Sequence, residues 1–308
     1  MTIPRRTVVL GALPFGTTVD EATSFAILDR FTELGGTVVD TANNYAYWLD
    51  GATGDESEAT VGRWLAARGN RDGLVLSTKC GARPRPGTDV WEGLSEKAVK
   101  TALDDSLTRL GTDRVDLYWT HVEDRTVPLE ETVGALADLV EEGKAGELGA
   151  SNHAAWRVER ARSLAGDRPR YTHLQNRHSY LVPRFDKALP SPAHVHVTRE
   201  HLDYARSEQL PIWAYSALLS GGYTRPEVGI PEAYDHPGTP PRLAALAETA
   251  RELGATVNQV VLAWLLGGET TVLPIVGASR VEQIEEVMDA LTLTLDPEQR
   301  RRLDEAGA

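Results

Sequence analysis

Two spacings of apolar residues take turns along this chain. Short runs of β-branched and aliphatic residues at 7–10, 37–39, 74–78, 114–120, 147–150, 172–174, 210–214 and 272–275 read as buried strands. Between them, apolar residues recur at helical spacing. Ala22, Phe25, Ala26, Ile27, Phe31 and Leu34 mark a helix over 20–34, which Gly35-Gly36 ends. Further helices are predicted over 55–68, 129–142, 154–164, 198–208, 242–253, 257–266, 281–291 and 297–305. Another runs from a Ser95 cap to Leu110. Glu56 and Glu58 stand in the first turn of the 55–68 helix, where the helix dipole favours them. About eight strand–helix units in alternation predict a parallel sheet with helices outside. In 308 residues that count favours a single α/β domain over 1–308, a closed (β/α)8 TIM barrel, over an open doubly wound sheet. No Gly-x-Gly-x-x-Gly is present, which argues against a Rossmann domain.

Composition narrows the classes. With 41% apolar and 25% charged residues the chain reads as an ordinary soluble protein. Its apolar runs are far shorter than a membrane span. The first apolar stretch, Val8-Val9-Leu10, is cut off by Gly11 and reads as a strand, not a leader. A lone cysteine, Cys80, cannot form an intrachain disulfide and suits the reducing cytoplasm. A net charge of −13 repels nucleic acid and acidic membrane surfaces, so an anionic ligand must be held by local dipoles and a few basic groups. Nothing in the pattern specifies an oligomeric state.

The chemistry lies at strand ends. Val38-Val39 runs into Asp40, the 74–78 strand into Lys79 and the 114–120 strand into His121, with Tyr45 five residues past Asp40. The C-terminal mouth of a parallel barrel gathers such residues. A phenol with its usual pKa near 10 needs tuning to act as an acid, and an ammonium beside it stabilises phenolate. A buried ammonium needs a carboxylate. Asp40 is thus expected to pair with Lys79, and Lys79 to lower the pKa of Tyr45. A neutral His121 would donate a hydrogen bond to a carbonyl oxygen. The set has no nucleophile and no metal cage, so it needs an external reductant such as a nicotinamide. Taken alone, Asp40 could cap a turn and His121 could be a core histidine; the combination separates the readings. His194-x-His196 has no third ligand and reads as loop histidines. Cys80 reads as a packed free thiol.

Four stretches together resemble the aldo-keto reductases. They are Gly35-Gly36-Thr37-Val38-Val39-Asp40-Thr41-Ala42-Asn43-Asn44-Tyr45; Gly54-Asp55-Glu56-Ser57-Glu58 with Gly62; Ser106-Leu107-Thr108-Arg109-Leu110 with Asp113, Asp116-Leu117-Tyr118 and His121; and Gly143-Lys144-Ala145-Gly146-Glu147-Leu148-Gly149-Ala150-Ser151-Asn152. The resemblance implies Tyr45 as general acid, Lys79 tuning it, Asp40 holding Lys79, and His121 orienting the carbonyl. It implies that Ser151, Asn152 and Gln175 hold the nicotinamide carboxamide and that Tyr215 stacks on the ring. Ser151-Asn152 also reads as a helix N-cap. Ser216, Leu218, Ser220 and Gly221 would meet the pyrophosphate through backbone N–H groups, and Gly11, Ala12 and Asp40 would also lie along the cofactor.

Gly277, Ser279, Arg280, Gln283 and Glu286 resemble the family's adenosine-phosphate segment. Arg280 facing a 2′-phosphate would favour NADPH, with NADH the alternative. Val276 and Val287 stand where the family commonly has proline and asparagine. The implied partner is a small carbonyl compound, with Tyr45, His121, Trp48 and Trp91 lining its site and Trp119 either there or in the core. Specificity is expected from loops 46–53, 81–94 and 177–197. Arg177, His178, Arg184 and Asp186 in the third suggest a polar or sugar-like substrate. Two other classes compete: a cofactor-binding regulatory subunit without turnover, and a barrel hydrolase or lyase using Asp40.

Overall fold

A computed structural model describes residues 3–88, 90–189 and 191–307. Its strands are β1 (Val9–Gly11), β2 (Val38–Asp40), β3 (Val75–Cys80), β4 (Val115–Thr120), β5 (Ala145–Ser151), β6 (Tyr171–Arg177), β7 (Ile212–Tyr215) and β8 (Val272–Val276). They pair in parallel in chain order, and β1 closes onto β8, so the sheet is a barrel. The helices are α1 (Glu21–Glu33), α2 (Glu56–Arg68), α3 (Glu96–Leu110), α4 (Leu129–Glu141), α5 (Ala155–Ala165), α6 (Arg199–Ser207), α7 (Thr239–Leu253), α8 (Val257–Leu266), α9 (Val281–Asp289) and α10 (Pro297–Glu305).

Local signals explain the helix ends. The Asp20 side chain accepts from Thr23 N at 2.8 Å, and Ser95 Oγ accepts from Ala98 N at 3.4 Å. In α4, Leu129, Val133, Leu136 and Leu139 fall on one face and are buried against the sheet. Each such side chain contributes roughly 1.5–3 kcal/mol by leaving water. Gly62 on α2 faces the end of α3; an added Cβ would stand 2.3 Å from the Arg109 carbonyl oxygen, so only glycine allows that approach.

Inside the barrel, Val9, Val38, Val75, Leu117, Trp119, Trp213 and Leu273 form a separate apolar plug. Trp119 and Trp213 meet edge to face at 5.1 Å, so Trp119 is core and not a wall of the mouth. This plug sets the parity of every strand. Successive side chains point to opposite faces. With Val38, Leu117, Trp119 and Trp213 inward, Asp40, His121 and Tyr215 two residues further on also point inward. Register pairs Asp40 with Ser77, Lys79 with Trp119, Ser151 with Gln175 and Gln175 with Trp213, which puts Lys79, Ser151 and Gln175 on the same face.

Several strands run further than apolar patterning predicts. β3 continues through Lys79 and Cys80, β5 starts at Ala145, and β6 extends from Tyr171 through Gln175 to Arg177. Polar side chains at the top of the barrel end the apolar run before they end the ladder. Between β7 and α7 the expected loop contains two short 3-10 turns, Leu219–Gly221 and Glu232–Tyr234. Among the described residues no helix is long and apolar enough to cross a membrane.

Candidate active site

The inward parity brings Asp40, Tyr45, Lys79 and His121 together at the C-terminal mouth. Lys79 Nζ donates to Asp40 Oδ2 at 2.5 Å, to Tyr45 Oη at 2.7 Å and to the Thr41 carbonyl at 2.6 Å. Ser77 Oγ donates to the other carboxylate oxygen of Asp40 at 2.6 Å. Asp40 and Lys79 have no exposed surface, and Tyr45 keeps 9%. The Tyr45 and His121 rings stand edge to face with centroids 6.0 Å apart. Asp40 therefore holds an ammonium instead of capping a turn.

Electrostatics correct one expectation. Lys79 was expected to bring the phenol pKa down; instead Tyr45 is pushed well above its ordinary value, first by burial and then by the Asp40 charge. The phenol is neutral and keeps its proton. Burial lowers Lys79, with Asp40 acting against it. Burial, then the Lys79 charge, then His194, hold His121 well below 6.5, so its imidazole is neutral as expected. Among the described residues its Nδ1 is buried without a partner. A buried N–H without an acceptor costs more than a bare lone pair, which favours the tautomer with its proton on Nε2.

Ser151, Asn152, Gln175 and Tyr215 cluster at the ends of β5, β6 and β7. Ser151 Oγ donates to Gln175 Oε1 at 3.4 Å, and among the described residues Gln175 Nε2 is buried with no partner. Asn152 has φ +59° and is fully engaged. Its Nδ2 donates to the His121 carbonyl at 3.0 Å and Ser151 Oγ at 3.1 Å; its Oδ1 accepts from Val195 N at 3.0 Å and Tyr215 Oη at 2.7 Å. The N-cap of α5 is Ala154, so the capping role expected for Ser151-Asn152 is not taken. The unpaired amide donor of Gln175 suits a carboxamide oxygen, which is how these residues fit a nicotinamide.

Past β7, Ser216, Leu219 and Ser220 have φ of 55°, 49° and 57°, and Gly221 has 94°. Left-handed backbone at three non-glycine residues is strain of the kind kept at ligand-binding loops. Leu218 accepts from Gly221 N at 2.9 Å within this turn. At the start of α9, Gln283 Oε1 accepts from Ser279 N at 2.7 Å and Arg280 N at 3.2 Å, fixing the segment after the exposed Gly277. The Arg280 side chain is exposed. Glu286 Oε1 accepts from Thr256 Oγ1 at 2.6 Å. Helix N-termini so arranged take phosphates. Gly11 ends β1 and Ala12 follows it, and the Ala12 carbonyl accepts from Ser57 Oγ at 2.7 Å. Val287 is buried in the core.

At the rim, Trp48 is exposed and meets Tyr47 edge to face at 5.3 Å. Trp91 bridges to Pro84 in a short hairpin. An open cleft of about 430 Å³ between the loops after β2 and β3 is lined by Tyr47, Ala52, Thr53, Pro84 and Arg85. A cleft of the same size, lined by Ile3, Glu147, His173 and Leu273, lies at the opposite pole, away from the tetrad. In the third loop Arg184 pairs with Asp186 at 2.6 Å, and His178 lies 6.2 Å from the Trp264 ring. Of the four residues that suggest a polar substrate, these three meet neighbours, and among the described residues Arg177 alone has no charged or aromatic-stacking partner of that kind.

Three supporting residues escaped the sequence reading. Glu92 Oε1 accepts from Asn43 Nδ2 at 2.9 Å and Gly81 N at 2.6 Å, tying the loop after β3 to the loop after β2. Arg83 donates to the Asn43 carbonyl at 2.6 Å and Asp55 at 2.5 Å. Glu58, read as a helix-dipole acid and as part of the second recognised stretch but given no role in the site, is fully buried, accepts from Thr78 Oγ1, and accepts from Arg109 Nε at 2.6 Å. Only Glu58 carried a signal, since its partner Arg109 stands in another of the recognised stretches.

Residues 7–308 match the model of the Aldo/keto reductase family. A norsolorinic acid reductase of Emericella nidulans is 32% identical over 91% of this chain and 71% of its own length. An aryl-alcohol dehydrogenase [NADP(+)] of Phanerodontia chrysosporium is 29% identical over 95% and 78%. A crystal structure of a thermostable aldo-keto reductase with the inhibitor epalrestat superposes with a TM-score of 0.75 at 25% identity, covering 99% of this chain and 95% of that one.

Proposed function

The chain belongs to the aldo/keto reductase family and is an NAD(P)H-dependent carbonyl oxidoreductase; on that premise we propose that it reduces an aldehyde or ketone with NADPH, with Tyr45 as the general acid and 1–308 acting as one catalytic unit. The observation that carries the reading is the buried chain from Asp40 through Lys79 to Tyr45. NADPH supplies hydride when bound. Ser151 and Gln175 would hold its carboxamide, and Asn152, which accepts from Tyr215 Oη, would fix that aromatic against the nicotinamide. Arg280 and the segment fixed by Gln283 would take the 2′-phosphate.

The residues act in sequence on one oxygen. His121 Nε2–H and the Tyr45 hydroxyl hold the carbonyl oxygen between their two rings. As negative charge builds there, Tyr45 gives its proton. The ammonium 2.7 Å away then stabilises the phenolate left behind. A high phenol pKa suits this order, because the proton stays until the oxygen becomes basic enough to take it. Among substrates, an aromatic carbonyl is favoured by the exposed Trp48 beside Tyr47 and by the name of the aryl-alcohol dehydrogenase above.

Consumption of NADPH absorbance with benzaldehyde and a panel of aldehydes and ketones tests the reading. Turnover is expected. Quenching of protein fluorescence by NADPH with no turnover of any carbonyl would instead identify the regulatory subunit, and an absence of quenching would leave the Asp40 hydrolase or lyase.

A further inference from the structure

Arg177 ends β6, two residues past Gln175, and shares its inward face. Its register partner is Tyr215. The side chain is 8% exposed, yet among the described residues no carboxylate lies within 4.0 Å of it. Its one side-chain hydrogen bond among the described residues is a long one, Nε to Tyr234 Oη at 3.4 Å. Buried Arg162, by contrast, meets Glu208 at 2.9 Å, and buried Arg242 lies 5.2 Å over the Tyr180 ring and donates to its carbonyl.

The third loop folds back to hold Arg177 in place. Arg177 N donates to the Val195 carbonyl and Val197 N to the Arg177 carbonyl, both at 2.9 Å. That return sets His194 5.6 Å from the Tyr215 ring and His196 5.8 Å from the Tyr234 ring. Among the described residues His194 Nδ1 and His196 Nε2 are buried without partners. All four neighbours are neutral: burial, then the Arg177 charge, lowers both imidazoles, and burial raises both phenols. The guanidinium therefore stands among dipoles with no counter-charge.

A buried, unpaired cation costs several kcal/mol, a cost offset when an oxyanion arrives with matching geometry. The chain's net charge of −13 cannot draw such an anion in from afar, so the contact group must select it. We propose that Arg177 is a substrate-recognition residue, and that the preferred substrates are aldehydes or ketones carrying a carboxylate that docks on its guanidinium beside His194 and His196. The proposal rests on the carbonyl-reduction reading above and specifies its substrate class.

The experiment compares 4-formylbenzoate with its methyl ester, which shares the ring and aldehyde but has no charge. In the wild-type enzyme with NADPH, KM for the carboxylate should be lower by about tenfold or more, the scale of a charge-assisted pair. Arg177→Met should raise that KM to the ester's level, leaving kcat and the ester's KM unchanged, and Arg177→Lys should keep part of the preference. Equal KM values for the two aldehydes in the wild type overturn the proposal. So does an Arg177→Met enzyme that weakens both substrates alike. Weaker NADPH binding by fluorescence titration, with the carboxylate preference intact, assigns the guanidinium to the dinucleotide and overturns it too. Failure of the wild type to reduce either aldehyde overturns the carbonyl reading itself, and this proposal with it.

Discussion

Asp40 Oδ2 lies 2.5 Å from Lys79 Nζ, and neither side chain touches solvent. Desolvating two charges is costly, so the pair is poor evidence for stability, but removing one partner leaves the other stranded. Lys79→Met should therefore lose about 3–5 kcal/mol in urea unfolding along with turnover. The double variant Asp40→Asn/Lys79→Met should regain much of the stability and none of the activity. A Lys79→Met protein as stable as wild type would contradict the burial of the pair.

Tyr45→Phe removes one hydroxyl and leaves the ring. Reduction should fall by at least about a hundredfold, the usual contribution of a general acid. The NADPH dissociation constant, read by fluorescence quenching, should stay within a factor of about two, because none of the proposed cofactor contacts passes through that oxygen. Wild-type turnover in this variant would remove Tyr45 from the mechanism. The same phenol predicts a pH profile: because its pKa is raised, kcat for reduction should show no fall from its ionisation below about pH 10.

Seven imidazoles, those of His121, His153, His173, His178, His194, His196 and His201, are lowered in the folded state, in each case chiefly by burial. The unfolded chain takes up these protons near pH 6.5, and the folded chain does so only at lower pH. Their contribution to stability is full above the unfolded value and is lost as pH falls below it, down through the folded values. The thermal midpoint should drop steadily from pH 7 to pH 5, before carboxylates with their lower pKa values matter. A flat midpoint across that window would contradict the burial of these rings.

Arg280→Met should raise KM for NADPH about tenfold, as expected for losing a charge-assisted pair, and leave KM for NADH unchanged. Initial rates with either cofactor at saturating aldehyde measure this. Equal effects on both cofactors would move the 2′-phosphate contact elsewhere.

The barrel and its tetrad were legible because both rest on strand parity. Val38 and Asp40, or Trp119 and His121, share a face whatever the surrounding loops do, and apolar runs mark where each strand lies. Boundaries slipped where polar residues extend the ladder, as in β6 from Gln175 to Arg177. The direction of the Tyr45 shift depends on how completely the mouth is buried, which no local pattern encodes. Asn152 was legible as a motif, but not its bonds to His121, Val195 and Tyr215, because these join segments 31, 43 and 63 residues away. The return of the third loop onto Arg177 has the same long-range origin.

Glu92 gathers Asn43 and Gly81 under one carboxylate at the foot of the 81–94 loop, below the hairpin in which Pro84 meets Trp91. Residues 84–91 thus hang from a staple and can be exchanged as a cassette, so a segment transplanted from a relative should change what the enzyme accepts without unseating the proton donor.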